Sequence, residues 1–312
     1  MPQGSILGPI LFTKCVNDLK SNVNDCLLIQ YADDTQFIHS EYVQNLPELI
    51  RKTEETLERV RMYFNNNGLL LNTKKTQCML IGSRAQLSKT AGNIVVQAGD
   101  AHIQLSDNIK NLGMYFDKHM LFENHITELC KKSFGILMYI NRIKDLFSSE
   151  TRTMVVQTLV LNLMNYGMAV WGTTSKTLLT KVQKLQNFAA KVAVGGRRRS
   201  DRESPILKDL GWLNIRKKCV YEQCLVIFNI LSDKYPHWLF TLPTVNNVHN
   251  NNTRQQELLY VKRTTTDYGQ RSLLIRGPRL WNNLPQCIKD VRSEITFKKK
   301  LKDFIMYNDI PL

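Results

Sequence analysis

Cys26-Leu-Leu-Ile-Gln-Tyr-Ala-Asp-Asp-Thr-Gln-Phe-Ile-His39 is the stretch on which the reading of this chain turns. Two short β-prone runs, 26–31 and 35–39, flank Ala32-Asp33-Asp34, which predicts a β-hairpin with an acidic tip. Adjacent carboxylates are costly to desolvate, and a bound divalent cation removes that cost. Magnesium takes few carboxylates together with substrate phosphates. Such a site suits in-line phosphoryl transfer, in which two metals clamp the attacking and leaving oxygens. Aspartate is also an ordinary turn residue, so the pair by itself leaves a solvated turn open.

Working outward, Leu46, Leu49, Ile50, Thr53, Leu57, Val60 and Phe64 recur at helical spacing, an amphipathic helix of roughly 20 residues. Asn65-Asn-Asn-Gly68 supplies residues that tolerate a left-handed helix end. Upstream, Pro2-Gln-Gly-Ser-Ile-Leu-Gly-Pro9 is turn-rich, and Ile10-Leu-Phe12 starts a helix with proline near its first turn. Strands are expected at 77–81, 94–97, 103–105 and 111–116, with turns at Gly92, Gly99 and Asp107. From about residue 120 the pattern is helical. Phe122, Ile126, Leu129, Ser133, Leu137 and Ile140 form one stripe, and Leu178, Val182, Leu185, Ala189 and Val192 another. Further helices are predicted over 215–231 and 295–306, with linkers at 195–200 and around 246–253. The fold class is therefore α+β: a β-hairpin and a small antiparallel sheet with helices, followed by a helical region and a looser helical tail.

The net charge of +15 is unevenly spread. Residues 1–118 hold twelve Lys/Arg and twelve Asp/Glu, so the whole excess lies in 119–312. A basic part beside a neutral part points to a polyanion-binding surface. Its clusters are Lys131, Lys132, Arg142 and Lys144; Arg197, Arg198, Arg199 and Arg202; and Lys298, Lys299, Lys300 and Lys302. Seven scattered cysteines read as reduced, buried thiols of an intracellular protein. Cys219, Cys224 and His237 come nearest to a zinc finger but lack a fourth ligand at the required spacing. No signal-peptide layout opens the chain, so a nuclear or cytoplasmic location is expected. The apolar stretch 154–171 is broken by Gln157, Asn162 and Asn165, and reads as a core helix rather than a membrane span.

Tyr31-Ala32-Asp33-Asp34, between apolar strands, resembles the catalytic hairpin of reverse transcriptases. Pro2-Gln3-Gly4-Ser5-Ile6-Leu7-Gly8-Pro9 resembles the preceding motif of that family. Gly68-Leu-Leu-Leu-Asn-Thr-Lys-Lys-Thr76 resembles the next, and Asn111-Leu-Gly-Met-Tyr-Phe-Asp117 the strand after it. All four stand in the family's order. Downstream, Asn165-Tyr-Gly-Met-Ala-Val-Trp171, Leu210-Gly-Trp-Leu213 and Arg276-Gly-Pro-Arg-Leu-Trp-Asn-Asn-Leu-Pro285 resemble the C-terminal region of jockey-like non-LTR retrotransposon polymerases. These three indicate lineage and say little about chemistry.

The resemblance implies a partial palm over 1–118, a helical thumb-like region over 119–195 and a basic C-terminal region over 196–312. It implies Asp33 as a Mg2+ ligand with Asp34 as its supporting acid. Gln3, Gly4, Tyr31 and Lys75 would serve nucleotide and template, although Lys75 also reads as a solvated lysine. Leu112 and Gly113 would lie under the primer end, a role compatible with plain strand packing. Arg197, Arg198 and Arg199 would meet the nucleic-acid backbone. The implied partners are RNA template, DNA primer and deoxynucleoside triphosphates, with no membrane. The family uses a further aspartate several tens of residues before the Pro-Gln-Gly motif. That motif starts at Pro2, so this acid and the fingers are expected to lie outside the chain. Asp18 and Asp25 do not match it, Asp18 reading as a helix-end or loop residue. The expectation is a polymerase fragment, inactive alone. The alternatives are a non-catalytic nucleic-acid-binding remnant and a decayed element without a cellular role.

Overall fold

The helical spacing that begins at Leu46 is realised in the computed structural model as a 21-residue helix, which organises the first of two compact units, 1–109 and 110–312. The structure describes residues 4–90, 94–195, 203–235, 241–248 and 256–310. Gln3, Gly92, Arg197, Arg198, Arg199, Arg202 and His237 lie outside them.

In the first unit, α1 (Gly8–Val16) carries proline in its opening turn, where a missing N–H costs nothing. The hairpin of β1 (Leu27–Tyr31) and β2 (Asp34–Ile38) follows, then α2 (Leu46–Asn66). Asn67 caps α2, and Gly68, with φ 69°, takes the left-handed step that ends it. One side of α2 packs Val60 and Tyr63 on Leu19 and Val23, while Leu57 packs on Val96, Ala98 and Ile103. The latter come from the hairpin of β3 (Val95–Ala98) and β4 (Ala101–Gln104). The Tyr63 hydroxyl donates to Asp18 and to the Cys15 carbonyl, and burial, followed by the Asp18 bond, pushes its phenol up to about 12. Asp18 thus sits between helices, as expected.

Two strand expectations fail. Residues 77–81 make only an isolated parallel bridge, Cys78 to Leu105. The run 111–116 is not one strand: β5 (Asn108–Asn111) and β6 (Met114–Asp117) form a hairpin around Leu112 and Gly113. Positive φ at both residues, 44° and 83°, gives the backbone twist of a tight two-residue turn. Among the described residues the strands make three two-stranded hairpins rather than one small sheet.

The second unit is helical. The predicted stripes are buried on α3 (Glu123–Arg142) and α5 (Lys176–Ala193). The apolar stretch 154–171 is less regular than one core helix. After α4 (Ser149–Val156) comes a π-helical stretch, Gln157–Leu161, and the chain breaks at Tyr166 and Gly167 before a short turn, Met168–Trp171. No helix among the described residues is long and apolar enough to cross a membrane. Next, α6 (Ile215–Leu231) joins two cores. It gives Ile215 and Cys219 to one, and Val220, Cys224, Ile227 and Phe228 to the other. The second core is completed by α7 (Leu273–Asn282) and α8 (Glu294–Tyr307), with Phe297 stacked on Phe228.

The run 276–285 is explained by this packing. The Arg276 Nε donates to the buried Gln223 at 3.0 Å. At Gly277 an added Cβ would lie 2.4 Å from Ile227. Trp281 joins the core, and Asn282 bonds both the N–H and the carbonyl of Leu259.

Entry to the second unit's helices is set by Asp117. Its carboxylate accepts from the backbone N–H groups of His119 and Leu121, both at 3.0 Å, and of Phe122. Met120 and Phe122 are both left-handed there, with φ 50° and 60°.

The thiols depart from expectation. Cys219 and Cys224 are buried, and desolvation pushes both up to about 12, but Cys15 and Cys287 are exposed. A maleimide added to the folded chain is therefore expected to label Cys15 and Cys287 quickly and Cys219 and Cys224 only on unfolding. Rapid native labelling of Cys224 would contradict this packing. Asp117→Ala strands three half-buried donors and is expected to cost about 3 kcal/mol in urea unfolding of the second unit, at about 1 kcal/mol or more per unsatisfied group. A loss below about 1 kcal/mol would show that the loop does not depend on this carboxylate.

Candidate functional site

The acidic hairpin is closed by two residues, Ala32 and Asp33, with Tyr31 paired to Asp34 across its end. Asp34 therefore begins β2 rather than lying in the turn. Ala32 has φ 52°, in the left-handed region that closes a tight hairpin. Leu28 and Phe37, paired across the hairpin, pack against the two small cores of the first unit. That packing leaves the turn at the surface, with Tyr31, Asp33 and Asp34 all exposed.

Five other acids of this unit are ion-paired. Glu48 and Glu55 pair with Arg51, Glu41 with Lys52, Glu58 with Arg61, and Asp25 with Arg59 at 2.6 Å. The bond from Arg59 holds the Asp25 carboxyl below its ordinary range. Among the described residues no cation pairs with Asp33 or Asp34. No group of three or more His, Cys, Asp or Glu that could hold a metal occurs among them either. The turn thus offers two hard oxygen donors on adjacent residues, free of ion pairs. That fits an ion which takes one or two carboxylates and completes its shell with water or phosphate.

The remaining candidates are less gathered. Gly4 is exposed, with φ 85° and nothing within 4 Å of an added Cβ. Lys75 is exposed in a turn held by Asn72, whose carbonyl and side chain both accept from the Lys75 N–H. No hydrogen bond or ion pair joins Lys75 to Asp33 or Asp34. Two shallow clefts in this unit, around Asp25, Glu54 and Arg59 and around His39, Glu41 and Lys52, include neither aspartate.

In the second unit Leu112 and Gly113 are the exposed tip of the β5–β6 hairpin. The Tyr166 hydroxyl donates to the Leu112 carbonyl. Sequence reasoning missed this link because it joins two motifs 54 residues apart. Lys131 and Lys132 on α3 and Lys181 and Lys184 on α5 are exposed, and none has an ion-pair partner among the described residues. The two helices pack together, with Phe134 and Phe188 in ring contact at 5.7 Å. On α8, by contrast, Lys298 pairs with Glu294, and Lys234 holds the same carboxylate. Those two bonds depress Glu294 to about 2.

Residues 1–116 match the family reverse transcriptase (RNA-dependent DNA polymerase). Over 233 residues the chain is 25% identical to the retrovirus-related Pol polyprotein from type-1 retrotransposable element R1 of Nasonia vitripennis, covering 72% of this chain and 68% of that one. It is 26% identical over 204 residues to a probable RNA-directed DNA polymerase from transposon BS of Drosophila melanogaster, and 22% identical over 196 residues to the RNA-directed DNA polymerase from mobile element jockey of the same organism. Those alignments take in 61% and 60% of this chain, which spans 21% of the length of each of the two. No solved structure matches the chain. The acidic hairpin, the order of the motifs around it and these relatives agree: residues 1–116 match the reverse transcriptase family, and the chain is similar to the RNA-directed DNA polymerases of non-LTR retrotransposons.

Proposed function

We propose that the chain supplies the metal-binding turn, the primer-side turn and a basic helical grip of an RNA-directed DNA polymerase. Its partners would be an RNA template, a DNA primer and deoxynucleoside triphosphates. The observation that carries this is the exposed Asp33–Asp34 pair at the end of a tight hairpin, left without a counter-cation in a unit where five of the nine other acids are ion-paired. Asp33 and Asp34 would hold Mg2+, which when bound neutralises charge on the attacking and leaving oxygens of nucleotidyl transfer. Tyr31, paired with Asp34, would flank the nucleotide, and Gly4 and Lys75 would border nucleotide and template. Leu112 and Gly113 would support the primer end.

The grip reading is favoured by a contrast in charge pairing. On α2, Arg51 and Arg61 are neutralised by carboxylates three or four residues away, and Arg59 by Asp25. On α3 and α5 four exposed lysines are left unpaired, beside an aromatic pair. Unpaired lysines release counterions when they meet phosphates, which drives sequence-independent binding.

Manganese relaxation titrations with template–primer and a nucleoside triphosphate test the metal reading. Asp33→Asn and Asp34→Asn are each expected to weaken ion binding at least ten-fold, on the order expected for loss of a charged ligand. Unchanged binding in both variants would remove the metal from this turn. Two carboxylates without a third group hold the ion weakly, so the purified chain is expected to give no magnesium-dependent primer extension. Extension that Asp33→Asn abolishes would overturn that expectation.

Replacing Lys131, Lys132, Lys181 and Lys184 with Gln is expected to lower affinity for an RNA–DNA hybrid. It should also flatten the salt dependence, by about 0.7–0.9 in slope for each phosphate that is no longer neutralised. Replacing Arg51 and Arg61 is expected to change neither. Equal losses from the two sets would refute the grip.

A further inference from the structure

Tyr166 lies in the run 165–171, whose sequence indicates lineage only. In the structure this run braces the β5–β6 hairpin at two points. The Tyr166 hydroxyl donates to the Leu112 carbonyl. Its ring lies against Gly113, 3.5 Å from where a Cβ would stand. One residue on, Gly167 has φ 63°, and a Cβ there would fall 2.2 Å from the sulfur of Met114 on β6. Only glycine combines that backbone with that approach. Behind the brace, the fully buried Trp171 donates its Nε1 to the Tyr166 carbonyl at 2.9 Å, which fixes the backbone that carries the tyrosine.

The turn so braced is strained. Leucine is rarely left-handed, and Leu112 has φ 44°. Such a conformation persists only where the surroundings over-determine it, and such sites gather where function needs a fixed geometry. The hydroxyl of Tyr166 meets the carbonyl of the strained residue itself. Tyr166 is also half exposed, so the brace reaches the surface beside the turn.

We infer that Tyr166 is a positioning residue for the primer 3′ terminus, its hydroxyl holding the Leu112–Gly113 turn in the conformation that meets the primer end. The inference rests on the primer-side reading of Leu112 and Gly113 in the proposed function. It gives the run 165–171 a role in the reaction beyond packing.

The test titrates the full chain onto an RNA template–DNA primer hybrid with a recessed 3′ end, the last primer base being 2-aminopurine. A blunt hybrid of the same length is the reference. Tyr166→Phe removes the hydroxyl alone. Its expected effect is about a five-fold loss of preference for the recessed end, the size of one hydrogen bond. The 2-aminopurine signal of the positioned end should be lost, while Tm and blunt-hybrid affinity stay unchanged. If Tyr166→Phe keeps the full end preference, the positioning role falls and the primer-side reading stands. If Tyr166→Phe lowers Tm and both affinities alike, the bond is structural only and the inference falls. A wild-type chain with no end preference overturns both the inference and the primer-side reading beneath it.

Discussion

Three backbone N–H groups converge on the Asp117 carboxylate, and the helical unit starts from that point. Between β6 and α3 the chain takes two left-handed steps on side chains that disfavour them, at Met120 and Phe122. The carboxylate makes this tolerable, because each step turns an N–H inward and each N–H finds an oxygen. The same loop then serves as a gathering point. Its Leu121 carbonyl takes the Thr174 hydroxyl just ahead of α5, and its Met120 carbonyl takes Arg271 just ahead of α7. Phe122 is driven into the core against Phe116, which sets the phase of the stripe that follows on α3. One acid thereby fixes where three helices begin.

Helices of the two units use charge differently. The first unit is held by two small apolar clusters around α2, and the cations of that helix, Arg51, Lys52, Arg59 and Arg61, are all paired with carboxylates. Exposed pairs of that kind contribute little each, but they leave little net field. Against that background two unpaired aspartates at one turn stand out chemically. The second unit has two larger cores and can leave charge unpaired without loss of fold. Its lysines on α3 and α5 are available to an outside polyanion, whereas Lys298 on α8 is committed to Glu294. Lys299, Lys300 and Lys302 of the same cluster are exposed and have no ion-pair partner among the described residues, so pairing within the fold removes only Lys298 from it.

Much of this was legible in the sequence. The helix that begins at Leu46 and the stripes on α3 and α5 were visible because burial of an apolar stripe imposes its period on the residues, whereas the helix at 215–231 faces two cores and was visible as an apolar run without a single stripe. The acidic hairpin was visible because strand propensity and turn chemistry agree at 26–39. The failures have physical causes. Residues 77–81 are apolar enough for a strand but find no partner beyond one bridge to Leu105, and a strand needs a partner. In the run 111–116 leucine does not announce a positive φ, and Gly113, the turn signal there, reads as part of a strand. The π-helical stretch at Gln157–Leu161 is equally silent. The bond from Tyr166 to Leu112 could not be read at all, since neither motif carries a mark of the other.

Ala32 and Leu112 show one device used twice. Each is a non-glycine residue with positive φ at the first position of a two-residue hairpin turn, beside the residue that the candidate chemistry needs. A longer loop would cost less strain but would let its tip wander, and a site that must hold an ion or a primer end loses rate quickly with misplacement. The tight turn fixes the tip through the strand register behind it. Glycine at Ala32 or Leu112 would relieve the strain and loosen the same geometry in the unfolded balance as well. At Leu112 the strain is met by the bond from Tyr166. At Ala32 no such brace is present among the described residues, and the register from Tyr31–Asp34 down to Leu27–Ile38 must hold the turn alone. The acidic tip is therefore the less constrained of the two, which suits a pair of carboxylates whose final geometry an ion would set.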